Sequence, residues 1–253
     1  MSRFPRGLAF LFLLAALVPV RAEVLPPAAE VVPKVLARDE ATTAALKKYR
    51  YHQTVRTERL NPDGTVHHAE ALETIVRPGQ GDDFSVVGDR GLQGALLAPT
   101  EKQRKEEKES EQLKASFSLR RLAPRFDIRV AERAAWEGRP AYVLAFTPKA
   151  GLAPAGGKIE RILDQMKGRM WVAADDFTIL HTEASLAHPV ALAWFLATMT
   201  GLDFNYRTQR LPNGETVPAA FDIDYKIDVL THAIRQRQAI SMDGYRLGAG
   251  ATP

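Results

Sequence analysis

The 253-residue chain contains no cysteine. It therefore has no disulfide, no thiolate nucleophile and no cysteine that could carry a lipid anchor. It also lacks an apolar run of membrane length. The first run, within residues 7–18, and the longest later one, residues 189–199, both fall short of the about 20 residues that a transmembrane helix needs. These absences exclude thiol chemistry and disulfide-stapled folds, and they argue against a helical membrane protein.

The first 22 residues have the pattern of a secretory signal peptide. Arg3 and Arg6 form a basic start, and the short apolar run follows. The segment ends at Arg21 and Ala22, with small residues at the positions that a signal peptidase requires before its cleavage site. We therefore expect residues 1–22 to be removed and the rest to be released outside the cytoplasm without a lipid anchor.

A strong charge of one sign is also missing from the expected mature chain. Arg3, Arg6 and Arg21 supply three of the four net positive charges of the full sequence. The remaining chain is nearly neutral, so it gives no electrostatic support for nucleic-acid binding, and we expect none. It is long enough to bury a core of its own in one domain.

Composition divides the remaining chain into segments. Three prolines predict a flexible leader over residues 23–36. Acids at the start and lysines at the end of residues 37–48 predict a helix. Interleaved charges predict a solvated helical insertion at residues 101–114, with a flexible insertion as the alternative. We expect one domain over residues 37–247 and a short tail over residues 248–253.

Much of the domain shows the alternation of antiparallel strands. Apolar residues occupy every second position from Phe221 to Val229, with charged residues between them. Asn213 and Gly214 predict a type I′ hairpin turn before this strand. Residues 192–211 predict either two strands or one strand with a bulge. The fold class is therefore α+β, mainly antiparallel β: a long, curled sheet with one or two helices.

Residues able to perform catalysis or bind metals are few. His181 and Glu183 share one face of a predicted strand, so a metal site or an acid–base pair is conceivable, although an ordinary polar strand face explains both. The alternating acids of residues 222–228 lack the glycine of a calcium loop. We expect no catalytic residue, no metal and no cofactor.

Apolar side chains on the later strands give the stronger functional signal. Their ordinary role is a packed core, and the alternative is a cavity for an acyl chain. Each methylene buried there would contribute about 0.8 kcal/mol, so binding would need no specific polar contact. The candidate cavity residues are Leu144, Phe146, Trp171, Leu180, Phe195, Phe204, Tyr206, Phe221, Ile223, Tyr225 and Ile227.

Four stretches occur in an order that is typical of one protein family. They are a helix followed by YRYHQT at 49–54, AYVLAFTPK at 141–149, KGRMWVAADDFTI at 167–179, and LPNGETVP at 211–218. In this order they resemble the periplasmic outer-membrane lipoprotein-sorting family, the carriers related to the lipoprotein-localisation proteins. The likeness extends over most of residues 40–245.

The resemblance implies an open, incomplete β-barrel of about eleven strands with helices covering its concave side. It also implies a monomeric periplasmic carrier or chaperone that shields lipid or lipoprotein acyl chains and touches the membrane only transiently. This carrier is the leading hypothesis. The alternatives are an envelope sensor with a protein partner on the same fold, and an unrecognised periplasmic enzyme.

Overall fold

The computed structural model describes residues 24–76, 85–87, 119–152, 158–193, 196–230 and 232–248. The predicted signal peptide (1–22) and charged insertion (101–114) lie outside them. The helices are α1 (Ala28–Leu46), α2 (Leu119–Leu122) and α3 (Lys158–Leu163), and a 3-10 turn spans Ala123–Arg125. The strands are β1 (Tyr49–Leu60), β2 (Val66–Val76), β3 (Ser85–Val87), β4 (Phe126–Trp136), β5 (Arg139–Pro148), β6 (Met166–Ala173), β7 (Ile179–Leu186), β8 (Val190–Ala193), β9 (Ala197–Arg210), β10 (Thr216–Val229) and β11 (His232–Leu247).

These strands form a single antiparallel sheet. Its order is β3-β2-β1-β11-β10-β9-β7-β6-β5-β4, and β8 pairs with the start of β9. The sheet is open, because β3 and β4 lie at its two ends and do not pair with each other in the described part of the chain. The predicted fold class is thus confirmed. β9 is one strand with a bulge, since Thr200 is skipped between the pairs Gly201–Lys226 and Met199–Ile227.

Helix α1 lies on one face of this sheet and forms the main core with it. Val31 and Val35, one helical turn apart, are only 2% and 3% exposed. They pack in one cluster with Leu144 of β5 and with Met170 and Val172 of β6. We call this side of the sheet the helix-covered face, and the other side the opposite face.

The predicted flexible leader is wrong where α1 begins. The helix starts at Ala28, directly after Pro27, and continues through Pro33 to Leu46. A proline inside a helix costs about 3 kcal/mol. Burial of Val31 and neighbouring apolar surface against the sheet offsets this cost. Composition alone suggested an extended leader because it does not show tertiary packing.

Polar contacts fix α1 to the turn between β6 and β7. Arg38 donates from Nε to Thr178 Oγ1 (2.9 Å) and from Nη2 to Asp176 Oδ2 (3.2 Å). Burial by itself would raise the pKa of Asp176, but hydrogen bonds from Thr178 and the Arg139 guanidinium bring the pKa below its usual value. On the other side of the helix, Glu40 forms an ion pair with Arg120 of α2.

The hairpin turn between β9 and β10 differs from the predicted type I′ turn. The Gly214 N–H donates to the Leu211 carbonyl (2.9 Å), so Pro212 and Asn213 are the central residues. Gly214 has a φ of 86°, whereas Asn213 does not have a positive φ. Proline fixes φ near −65°, which suits a type I turn followed by a left-handed glycine.

Gly168 in β6 leaves no room for a side chain. A Cβ there would lie 2.0 Å from the Glu183 carbonyl oxygen and 2.8 Å from the Phe146 ring. We expect Gly168→Ala to lower the free energy of unfolding by about 1–3 kcal/mol, because the neighbouring backbone has to move. Gly201→Ala is the matched control, since its Cβ would meet Lys226 at 3.6 Å. Equal urea midpoints for the two variants would contradict this prediction.

Candidate functional site

The sheet register divides the predicted cavity residues between its two faces. Directly opposed residues on neighbouring antiparallel strands point to the same side. The helix-covered face carries Leu144, Phe146, Phe204, Tyr206, Phe221, Ile223, Tyr225 and Ile227. Trp171 and Leu180 lie on the opposite face, so their prediction as lining residues of the same cavity is wrong. Phe195 lies outside the described residues.

A bulge explains the position of Leu180. The pair Val172–Ile179 is followed by the pair Trp171–His181, so Leu180 is an extra residue on β7. The sequence pattern does not show such a bulge. Leu180 is 6% exposed and packs in a small cluster on the opposite face. Leu144, in contrast, is a core residue beneath α1 and is 3% exposed.

His181 is the centre of an aromatic cluster on the opposite face. Its side chain is 2% exposed, and its ring stacks on Trp136 (centroids 3.9 Å apart) and contacts Trp171 (4.9 Å). Nδ1 lies 2.8 Å from the Tyr206 carbonyl oxygen, which can only accept, so Nδ1 carries a proton. Nε2 lies 2.9 Å from Glu183 Oε1. Both ring nitrogens are therefore occupied by protein groups.

This arrangement favours a structural role for His181 over a metal site. Among the residues that the structure describes, no group of three or more His, Cys, Asp or Glu side chains could hold a metal ion. The Glu183 side chain is 54% exposed and closes one side of the cluster. His181 thus holds β7 to β9 through a carbonyl and fills the space between two indole rings.

A continuous row of apolar side chains crosses five strands on the helix-covered face. Tyr206 of β9 pairs with Phe221 of β10, and Phe221 pairs with Ile240 of β11. Ile240 pairs with Val55 of β1, and Val55 pairs with Leu72 of β2. We call these five residues the apolar strip. At about 4.8 Å between strands, the strip is about 19 Å long.

The apolar strip leads from the packed core to an open part of the sheet. Tyr206 packs against the cluster that contains Val31 and Val35. The three middle residues of the strip are half-buried, and Leu72 at its far end is 41% exposed. The described residues therefore cover this strip only partly.

Polar residues flank the strip over β11, β1 and β2. The neighbouring row on one side contains Gln238 and Thr57, and the row on the other side contains Gln53 and Thr74, together with the apolar Met242. The strip is thus about one side chain wide here. On β9 and β10 the apolar surface is wider, because the remaining predicted residues extend it along the strands: Phe204, Ile223, Tyr225 and Ile227.

Asp39 and the Tyr206 hydroxyl lie at the core end of the strip. Asp39 follows Val35 by four residues, so it lies on the sheet-facing side of α1, where it is half-buried. Burial, and then the charge of Glu40, raise the pKa of Asp39. Tyr206 packs against the cluster that contains Val35, one helical turn before Asp39. Burial raises the pKa of Tyr206, and the charge of Asp39 raises it further. Sequence reasoning missed Asp39, since the register of α1 on the sheet is not visible in the sequence.

Two surface depressions, of about 440 and 410 Å³, lie elsewhere. The first is formed by β4–β7 around Arg129 and Arg169, and the second by residues around α3 and β8, including Arg161. Neither is lined by a residue of the apolar strip. The strip is therefore a feature of the sheet surface and belongs to neither depression.

Comparison with known proteins finds similarity only in solved structures. No family model matches the chain, and no curated protein matches it. A DUF1329 family protein from Desulfovibrio piger is 12% identical with a TM-score of 0.39, over 90% of this chain and 96% of that chain. A LolA superfamily protein from Nitrosomonas europaea is 12% identical with a TM-score of 0.32, over 90% and 96%. An outer membrane lipoprotein-sorting protein domain from Vibrio parahaemolyticus is 10% identical with a TM-score of 0.34, over 87% and 95%.

Structures of the family that the sequence resembles are thus among these neighbours. Identities of 10–12% describe a likeness of fold alone. None of the helices in the described part of the chain has the length and apolar character needed to cross a membrane.

Replacing His181 tests its structural role. We expect His181→Ala to lower the free energy of unfolding by about 3 kcal/mol, because it leaves a space between two indole rings and an unpaired Tyr206 carbonyl. Glu183→Gln keeps the ring in place and should cost less than about 1 kcal/mol, because this side chain is largely exposed. Chemical unfolding measures both values, and a larger cost for Glu183→Gln would contradict the assignment.

Replacing Asp39 tests the cost of burying its carboxyl. The folded state favours the neutral acid, so wild-type stability falls as the pH rises from below 3.8 through the raised pKa. Asp39→Asn avoids this loss. It should therefore be more stable than the wild type at pH 7 and equally stable at pH values below 3.8. Asp127→Asn, at an exposed position of β4, should show no such gain. Urea unfolding at several pH values measures the difference, and a destabilised Asp39→Asn at pH 7 would count against it.

Proposed function

We propose that this protein is an exported, periplasmic carrier or chaperone that binds the acyl chains of lipids or lipoproteins. The observation that carries this proposal is the apolar strip. It is continuous over five strands, is only partly covered by the described residues, and is bordered by polar rows. Its length of about 19 Å, and its width of one side chain over β11, β1 and β2, suit a single hydrocarbon chain.

The expected binding energy fits a reversible carrier. Each methylene that leaves water contributes about 0.8 kcal/mol, so a dozen contribute roughly 10 kcal/mol. Association costs about 4–15 kcal/mol in lost freedom of motion. The balance favours weak, exchangeable binding without a specific contact along the chain. A molecule that takes up and releases a cargo needs an affinity of this kind.

Helix α1 supplies an adjustable cover beside the strip. Its polar ties, Arg38 to Asp176 and Glu40 to Arg120, lie between partly exposed side chains. Such ion pairs contribute about 0–1 kcal/mol each. The helix could therefore shift over an incoming chain at modest cost, while Val31 and Val35 keep it on the sheet.

The direct test is native mass spectrometry of the protein purified from the periplasm. We expect a lipid or acylated peptide to be retained, or to be taken up when it is supplied. A protein that never binds either one would rule the carrier out. A stoichiometric protein partner with no lipid present would instead support the envelope interaction domain.

A matched pair of variants locates the binding surface. Ile240 lies in the strip, and the next residue, Ser241, lies on the opposite face and is exposed. We expect Ile240→Asp to reduce binding of N-phenyl-1-naphthylamine, an uncharged apolar fluorophore, by about tenfold or more, because a carboxylate interrupts the apolar row. Ser241→Asp adds the same charge outside the strip and should leave binding unchanged. Equal fluorescence titrations for both variants would place the binding surface elsewhere.

A further inference from the structure

Three consecutive charged residues of α1 have different surroundings. Arg38 bonds to Thr178 and Asp176 in the turn between β6 and β7. Glu40 forms a two-point ion pair with Arg120. Asp39 lies between them on the sheet-facing side of the helix, and it has no hydrogen bond or ion pair with any residue that the structure describes. Among the described residues, its carboxyl is therefore the one of the three without a polar partner.

The charges around Asp39 favour a cationic ligand. Burial and the negative charge of Glu40 both raise the pKa of this carboxyl, and no cationic side chain in the described part of the chain lowers it. The neighbouring Tyr206 hydroxyl also makes no hydrogen bond to a described residue. A carboxylate with a hydroxyl nearby offers several acceptor sites, and no described residue supplies a compensating positive charge.

These two groups lie where the apolar strip begins. Tyr206 is the first residue of the strip, and Phe221, Ile240, Val55 and Leu72 continue it across the sheet. A ligand with a polar group beside Asp39 would therefore have its hydrocarbon chain directed along the strip toward β2. The combination is a pair of hydrogen-bond acceptors at one end of an apolar row, which narrows to one side chain over β11, β1 and β2.

We propose that Asp39 and Tyr206 form a head-group subsite that binds the primary ammonium group of a single-chain amphiphile lying along the apolar strip. This proposal rests on the proposed function and adds the chemical class of the head group. The ammonium donates hydrogen bonds to the Asp39 carboxylate and to the Tyr206 hydroxyl oxygen, and its charge balances that of Asp39. The same carboxylate repels an anionic head group.

Three amphiphiles with the same twelve-carbon chain test the subsite by isothermal titration below their micelle concentrations. They are dodecylammonium, dodecyltrimethylammonium and dodecyl sulfate. The first is a cation with N–H donors, the second is a cation without them, and the third is an anion. The full mature protein should bind dodecylammonium at least about tenfold more tightly than dodecyl sulfate, with dodecyltrimethylammonium between the two.

Variants assign this preference to the two residues. Asp39→Asn should weaken dodecylammonium binding by about tenfold and leave dodecyl sulfate binding unchanged or tighter. Tyr206→Phe should weaken only the ligand that has N–H donors, by a few-fold. Asp127→Asn removes an equal charge at an exposed position of β4 and should preserve all three affinities. The wild-type preference should also decline as the pH falls through the raised pKa of Asp39.

The outcomes separate this subsite from the carrier function itself. Equal wild-type affinities, or a preference that survives Asp39→Asn, overturn the subsite. If Ile240→Asp then still weakens the binding of all three amphiphiles, the carrier function stands without the head-group subsite. If no amphiphile binds the wild type, both proposals fail. Loss of the preference in Asp39→Asn, with dodecyl sulfate binding retained, supports both.

Discussion

The register of five neighbouring strands, β9, β10, β11, β1 and β2, is the constraint on which the candidate site depends. Side chains alternate between the faces of a strand, so a slip of one residue moves a whole set to the other side. The pairs Tyr206–Phe221, Phe221–Ile240, Ile240–Val55 and Val55–Leu72 align one apolar residue from each strand. Backbone hydrogen bonds that carry no chemical specificity thereby build a surface with a definite length and width.

Helix α1 gives the two ends of this surface their different character. Val31 and Val35 fill the space above β5 and β6, and the core there is closed. Farther along the sheet the apolar residues are only half-buried, and Leu72 is 41% exposed. The same helix brings Asp39 to the boundary between the two regions. Burial of that carboxyl opposes folding at neutral pH, which is a common property of groups that are retained for binding.

The opposite face shows how a promising sequence pattern can serve structure. His181 and Glu183 are indeed in contact, as their spacing allows. However, Trp136 and Trp171 enclose the imidazole, and a backbone carbonyl occupies its second nitrogen. The sequence placed Trp171 with the cavity residues because it is large and aromatic. Its face was decided by the pairing of β6 with β5, which apolar character alone does not reveal.

The sequence by itself determined the class of fold. Alternation from Phe221 to Val229 and the turn residues sufficed for an antiparallel sheet, because strand period and turn chemistry are local properties. That the sheet is open was implied by the family resemblance of the four motifs. Only the tertiary structure decided where α1 begins, how Pro212 shapes the hairpin turn, and which residues face the helix. Those features depend on bulges, strand registers and helix packing between distant segments. The apolar strip and Asp39 belong to this second group, since their residues meet only after six separate elements have come together.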